Sequence, residues 1–90
     1  MRRVHLLVFG SVQGVGFRYS VIKKAEMLNI TGWVRNNPDE SVEIVAEGDD
    51  KFIAAFVNFC KKGPSSASVT EVKIFYEEVI YEFKKFGIKF

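Results

Sequence analysis

The spacing of apolar residues in the first half of the chain predicts a strand, a helix and a hairpin. The run from Val4 to Phe9 is almost entirely apolar, which favours an interior strand of a sheet over an edge strand. From Tyr19 onward, apolar residues recur at helical spacing, and Asn29 can end this helix in the left-handed conformation. Thr31 to Asn36 and Ser41 to Glu47 have strand patterns on either side of an Asn-Pro-Asp-Glu turn, so together they predict a hairpin.

The second half of the chain predicts another helix and two more strands. Asp49 or Asp50 can cap a helix that ends at Gly63-Pro64 and carries one apolar stripe. The stripe consists of Phe52, Ile53, Phe56, Phe59 and Cys60. Strands are expected at Val69 to Tyr76 and, as a short last element, at Phe86 to Phe90. The resulting order, β-α-β-β-α-β with a tail strand, predicts an α+β fold in which two helices cover one face of an antiparallel sheet.

Length and composition indicate a single domain that covers residues 1–90. These residues are 48% hydrophobic and include nine Phe, enough for one core of modest size. The apolar run Leu6 to Phe9 is too short for a membrane span or a signal sequence, so we expect a cytoplasmic protein with no membrane partner. The single cysteine, Cys60, excludes an intrachain disulfide and a multi-thiolate metal site. Frequent Lys, Glu, Ile and Phe hint at a thermophilic source.

Positive charge is concentrated at the start of the chain. The net charge of +2 is too small to argue for a nucleic-acid partner. However, the first thirty residues carry five Lys or Arg and one Glu, whereas the next thirty carry two Lys or Arg and six Asp or Glu. A small anion would therefore be attracted to the first third of the chain.

A glycine-rich segment, GSVQGVGFR at residues 10–18, joins the first predicted strand to the first helix. The free N–H groups and the positive dipole end of a helix N-terminus together bind anions. Gly10, Gly14 and Gly16 can adopt positive φ and let successive N–H groups curl around a phosphate, while Arg18 can add a bidentate contact. The glycines alone could equally form only a tight connection, and Arg18 alone could be a solvated helix residue.

Missing motifs narrow the chemistry that this segment can support. A nucleotide-binding P-loop would have its second glycine at position 15, where this chain has Val15. The dinucleotide-binding motif would have its third glycine at position 19, where this chain has Tyr19, so neither motif is present. The chain also has no HExxH, Ser-His-Asp or phosphocysteine pattern, so a reaction here would need no metal or cofactor and would depend on positioning and electrostatics. Such a reaction needs an activated substrate.

An acyl phosphate meets that need, because the conjugate acid of its carboxylate leaving group has a pKa of about 4. The attacking water then needs a fixed hydrogen-bond acceptor, for which the amide of Asn36 at the end of the second strand is the candidate. On its own, Asn36 could also be a simple turn residue. Inorganic phosphate, as the product, is expected to inhibit competitively.

Two motifs of this chain resemble the signatures of the acylphosphatases. GSVQGVGFRY resembles the first signature, and GWVRN at 32–36, followed by Ser-Val-Glu at 41–43, resembles the second. The resemblance, which extends from Val4 to Ile88, implies a ferredoxin-like fold and metal-independent hydrolysis of the carboxyl–phosphate bond. It also implies that Arg18 and the backbone N–H groups of the preceding loop hold the phosphate and that Asn36 orients the water. The loop residues are Ser11, Val12, Gln13, Gly14, Val15, Gly16 and Phe17.

The chain departs from the family pattern at two positions that affect backbone strain. Its hairpin turn has Asp39-Glu40 where the family often has Asp-Gly, and Asn29 stands where glycine is common. Because Asn tolerates the left-handed region, we expect little functional effect at that position.

Two alternative functions use the same fold. An RNA-binding domain would need aromatic residues on the third strand, but Ser41 to Glu47 has none and carries two glutamates, so no nucleic-acid partner is expected. A domain of a larger hydrogenase-maturation or carbamoyl-transfer protein is the other alternative, and the short chain favours a free-standing monomer. We interpret His5 and Cys60 as packed residues, and the sequence leaves the role of Trp33 open.

Overall fold

The apolar run near the start of the chain forms an interior strand, as predicted. The computed structural model describes residues 1–90. Its elements are β1 (Arg2–Ser11), α1 (Phe17–Met27), β2 (Thr31–Asn36), β3 (Val42–Gly48), α2 (Asp50–Lys62), β4 (Ser68–Glu77) and β5 (Phe86–Ile88). The strands form one sheet in the order β4-β1-β3-β2-β5, so β1 lies between β3 and β4. The predicted α+β arrangement with a split βαβ order is confirmed.

The alternation of side chains along β1 separates the core face of the sheet from its open face. Val4, Leu6 and Val8 are fully buried in the core that the sheet forms with both helices. His5 and Phe9 point to the other face and remain partly exposed. Phe56 of α2 packs edge-to-face against Phe86 of β5, with ring centroids 5.9 Å apart. The two helices therefore cover one face of the sheet, and no helix covers the opposite, open face.

The last strand is the one exception to an antiparallel sheet. β1 pairs antiparallel with β3 and β4, and β2 pairs antiparallel with β3, but β5 runs parallel to β2. β4 ends at the edge of the sheet opposite β5, so the chain between them must cross the sheet. This crossing segment, residues 78–85, arrives at the end where β2 begins, and β5 therefore runs in the direction of β2.

A buried glutamate binds the crossing segment to the open face of the sheet through hydrogen bonds. Glu47 of β3 is only 2% exposed, and its carboxylate accepts hydrogen bonds from the N–H groups of Ile80 and Tyr81 at 3.0 and 3.1 Å. The guanidinium of Arg3 lies 3.0 Å from the same carboxylate and 2.8 Å from that of Glu82. These partners offset the cost of burying the Glu47 charge.

The predicted helix boundaries are correct to within two residues. α1 begins at Phe17 and ends in a Schellman motif: Asn29 has φ +54° and donates to the Glu26 carbonyl, and Ile30 donates to the Ala25 carbonyl. The carboxylate of Asp49 makes no capping hydrogen bond at the start of α2, so the predicted cap residue acts there only through its backbone. Neither helix is long and apolar enough to cross a bilayer.

Candidate active site

The glycine-rich segment between β1 and α1 is a loop whose backbone donors are free. Gly14 and Gly16 have φ of +73° and +80°, the left-handed region that favours glycine. None of the N–H groups from Val12 to Gly16 donates a hydrogen bond to another protein group. The loop leads directly into the N-terminus of α1, whose first turn contains no acidic residue. Free N–H groups at the N-terminus of a helix are able to bind an anion.

Buried and hydrogen-bonded anchors hold this loop in place. Val12 and Phe17, one near each end, are each 1% exposed. The Ser66 hydroxyl donates to the Val15 carbonyl at 2.7 Å. The Gln13 amide donates to the carbonyls of Asn37 and Ser41 at 2.8 and 2.9 Å, which ties the loop to the β2–β3 turn.

Sequence reasoning missed this role of Gln13. The two acceptors lie 24 and 28 positions away along the chain, so no local pattern connects them to Gln13. Only the pairing of β1 with β3 brings the loop and the turn together.

One pocket brings together the two side chains that the sequence singled out, Arg18 and Asn36. It has a volume of about 180 Å³, smaller than the roughly 300 Å³ at which sites for drug-sized ligands begin. Its lining residues are Val12, Gly14, Gly16, Phe17, Arg18, Tyr19, Asn36 and Ile88. No acidic side chain lines it, so an anion that enters meets no direct repulsion.

Three of the expected loop residues lie outside this lining. Ser11 is the last residue of β1 and pairs with Ser68 of β4. The side chain of Gln13 is hydrogen-bonded to the β2–β3 turn, and the carbonyl of Val15 accepts from Ser66. Two lining residues, Tyr19 and Ile88, were not expected from the sequence. Ile88 reaches the pocket because β5 lies beside β2, a pairing that the sequence pattern does not specify.

Arg18 is a partly buried cation without a partner. Its guanidinium forms no ion pair and no hydrogen bond with another protein group. By contrast, Arg3 contacts three carboxylates, and Arg35 contacts Glu43 and Asn37. An arginine that the protein leaves unpaired beside free N–H groups is available to a phosphate or carboxylate.

Asn36 has a buried oxygen that the protein does not satisfy. Its Oδ1 atom is buried and accepts no hydrogen bond, the only buried side-chain polar atom in this state. Leaving such an atom unpaired costs about 1–3 kcal/mol, and in native proteins it often marks a functional group. Because the side chain lines the pocket, a rotation of its amide would bring this oxygen into contact with a ligand or water there.

The turn between β2 and β3 follows directly after Asn36 and is held by its own hydrogen bonds. Asp39 accepts hydrogen bonds from the N–H and the hydroxyl of Ser41 at 3.0 and 2.5 Å, and these bonds lower its pKa. Glu40 has φ +74° at the position where the family often has glycine. The turn therefore keeps its shape with one non-glycine residue in the left-handed region.

The remaining residues considered from the sequence lie away from the pocket. His5 is on the open face of the sheet, between the carboxylates of Glu43 and Glu77 at 2.6 and 3.0 Å. Trp33 is on the same face, with the Lys89 ammonium 4.5 Å from its ring centroid. Cys60 is fully buried in the core, and burial raises the pKa of its thiol. No group of three or more His, Cys, Asp or Glu side chains converges as metal ligands would.

Comparison with known proteins shows which proteins this chain is similar to. Residues 4–88 match the sequence model of the acylphosphatase family. An acylphosphatase from Methylococcus capsulatus is 48% identical over 88 residues, which are 98% of this chain and 96% of that protein. The crystal structure of acylphosphatase from Bacillus subtilis is 36% identical and superimposes with a TM-score of 0.95 over 100% of both chains.

A longer protein contains a similar unit. The structure of HypF from T. kodakarensis matches 99% of this chain with a TM-score of 0.84 and 33% identity, but the match covers only 12% of the HypF chain.

Proposed function

This chain belongs to the acylphosphatase family, and from that premise we propose that the pocket between the β1–α1 loop and β2 is its catalytic site. The chain is a hydrolase that acts on small acyl phosphates. The finer proposal is that it cleaves the carboxyl–phosphate bond without a metal or cofactor, using Arg18, Asn36 and the loop backbone.

The loop and Arg18 hold the phosphoryl group. Backbone N–H groups of residues 11–17 and the guanidinium fork donate to the non-bridging oxygens, where charge accumulates as the bond breaks. The free donors of Val12 to Gly16 and the unpaired Arg18 support this role. Ser11, at the end of β1, contributes least because it lies outside the pocket lining.

Asn36 orients the attacking water, and its unsatisfied Oδ1 is the single observation that carries the proposal. A water that donates to this oxygen has its own lone pair directed at the phosphorus bound beside Arg18. Since an amide is not a base, the proton that the water loses passes to a phosphate oxygen or to solvent.

The leaving group explains why two side chains are enough. A carboxylate leaves without being protonated, because the pKa of its conjugate acid is about 4. The site therefore needs no general acid, and neither a carboxyl group nor an imidazole lines the pocket. The protein then contributes by positioning the substrate and the water and by stabilising the negative charge of the transition state.

The test is phosphate release from benzoyl phosphate in EDTA, measured for the wild type and for Arg18→Ala, with p-nitrophenyl phosphate as a control substrate. We expect hydrolysis of the acyl phosphate alone, unaffected by EDTA, and a loss of about 10²–10³-fold or more in Arg18→Ala. Inorganic phosphate should inhibit the wild type competitively. Near-normal turnover by Arg18→Ala would remove this residue from the mechanism, and loss of activity in EDTA would contradict the metal-free proposal.

A further inference from the structure

Tyr19 separates the phosphate pocket from a shallow groove on the outer face of α1. Its side chain is 66% exposed and lines both cavities. This α1 groove has a volume of about 370 Å³ and is lined by Tyr19, Ser20, Lys23, Lys24, Met27 and Phe59. A substrate whose phosphoryl group occupies the pocket therefore has the α1 groove next to its acyl group.

The α1 groove contains two cations without acidic partners. Lys23 and Lys24 form no ion pair, and no acidic side chain lines the groove. Their ammonium groups lie 5.8 Å from the ring centroid of Tyr19 and 5.7 Å from that of Phe59. Ammonium groups beside aromatic rings suit a ligand that has an apolar body and a negatively charged end.

The groove on the other side of the pocket is less favourable for a second anion. Ile88 also lines a groove on that side, which contains Arg3, Lys85 and Lys89. The guanidinium of Arg3 contacts three carboxylates, and Lys89 stacks on Trp33 at 4.5 Å. The carboxylate of Glu82 also lines that groove, whereas no acidic side chain lines the α1 groove, so the α1 groove is the more favourable of the two for an anion.

We propose that the α1 groove binds the acyl part of the substrate and selects acyl phosphates that carry a second anionic group at the far end. This inference rests on the proposed function, because the phosphoryl group must lie beside Arg18. An α-helix rises 1.5 Å per residue, so Lys23 lies about 7–8 Å beyond Arg18 along the axis of α1. Because the two residues are also rotated relative to each other around the axis, a chain or ring of at least this length must separate the two anionic groups of the substrate.

Benzoyl phosphate and 4-carboxybenzoyl phosphate are a matched pair for the test, because they differ only in the para carboxylate. We expect the wild type to hydrolyse the carboxylated compound with the higher kcat/KM at low ionic strength. The ratio of the two kcat/KM values should fall about 5-fold in Lys23→Gln/Lys24→Gln, as expected for exposed charge pairs. It should also fall for the wild type in about 1 M salt, where charges are screened beyond roughly 3 Å.

The matched control is Lys85→Gln/Lys89→Gln, which removes two charges from the groove on the other side of Ile88. This control should keep the wild-type ratio, and thermal unfolding should show that both double variants are folded. An equal ratio in all three proteins, or equal losses in both double variants, would overturn the inference while leaving the hydrolase function intact. Hydrolysis of neither substrate by the wild type would contradict the proposed function itself.

Discussion

At the scale of single residues, the site combines a cation and an acceptor that the protein leaves unpartnered. Arg18 has no carboxylate partner, and Asn36 Oδ1 has no donor. Leaving the buried Oδ1 of Asn36 unpaired costs folding free energy that a paired alternative would not. Replacing residues of this kind should lower the activity of the protein without lowering the stability of its fold.

Asn36→Ala tests this expectation. If Asn36 orients the water, the variant should lose about 10²–10³-fold in kcat while KM changes little, because the water is needed in the transition state and not for phosphate binding. The Tm of the variant should fall only as far as expected for shortening a partly buried side chain. The substitution also removes the unsatisfied oxygen, and this removal offsets part of the loss. Kinetics and thermal unfolding should be compared with Asn58→Ala, an exposed position on α2. A rise in KM alone would make Asn36 a binding residue.

At the scale of elements, the β1–α1 loop depends on the β2–β3 turn through Gln13. Gln13→Leu keeps the approximate size of the side chain but removes the donors to the carbonyls of Asn37 and Ser41. Because a hydrogen bond contributes about 0.5–1.5 kcal/mol, we expect kcat/KM to fall about 5- to 10-fold and the inhibition constant of inorganic phosphate to rise in parallel.

The control for Gln13 is Ser66→Ala, which removes the other side-chain anchor of the loop from an exposed position. This change should affect phosphate binding less. If Gln13→Leu lowered Tm but left the phosphate inhibition constant unchanged, Gln13 would have a purely structural role.

The β2–β3 turn also contains a position where the sequence is not optimal for stability. Glu40 has φ +74°, a conformation that costs a non-glycine residue about 1–2 kcal/mol. Glu40→Gly should therefore raise stability by about 0.5–1 kcal/mol after the entropy of the more flexible unfolded chain is subtracted. Thermal unfolding of Glu40→Gly and Glu40→Ala distinguishes the cause, since Ala removes the charge but keeps Cβ. An equal gain in both variants would attribute the effect to charge instead of to backbone strain.

At the scale of the whole molecule, an ion-pair network on the open face joins three strands to the crossing segment. Burial by itself would lower the pKa of Arg3, but its hydrogen bonds to Glu77, Glu82 and Glu47 outweigh this and raise it. The hydrogen bond from Arg3 is also the main cause of the lowered pKa of Glu77, to which His5 adds. The network is the main polar link between the sheet and the chain that leads to β5.

This network predicts acid sensitivity. Because its folded-state pKa is lowered, Glu77 contributes stability that is fully present above the unfolded value of about 4.5 and is lost as pH falls through the lower folded value. The Tm of the wild type should therefore fall as the pH drops below about 4.5. Glu77→Gln should have a Tm a few degrees lower at pH 7, corresponding to about 0.5–1 kcal/mol, and a shallower decline in acid.

Glu71→Gln is the control for the acid experiment, because Glu71 is exposed on the same strand and has no ion pair. It should follow the wild-type curve. Parallel acid transitions for Glu77→Gln and the wild type would show that Glu77 does not contribute.

The sequence by itself determined the elements of this protein and the two side chains on which its chemistry is proposed to depend. Apolar periodicity and turn residues are local signals, so they predicted both helices, the hairpin and the left-handed Asn29. The glycine loop with Arg18, and Asn36 at the end of β2, were identifiable because their residue types restrict the chemistry that they can perform.

The tertiary structure decided how distant parts of the chain meet. The parallel pairing of β5, which places Ile88 in the pocket, follows from the path of the crossing segment and leaves no local pattern. The Gln13 contacts and the burial of Glu47 likewise depend on partners more than twenty positions away. Such contacts form only when the sheet assembles, because hydrogen bonds and ion pairs depend on distance in space and not on separation along the chain.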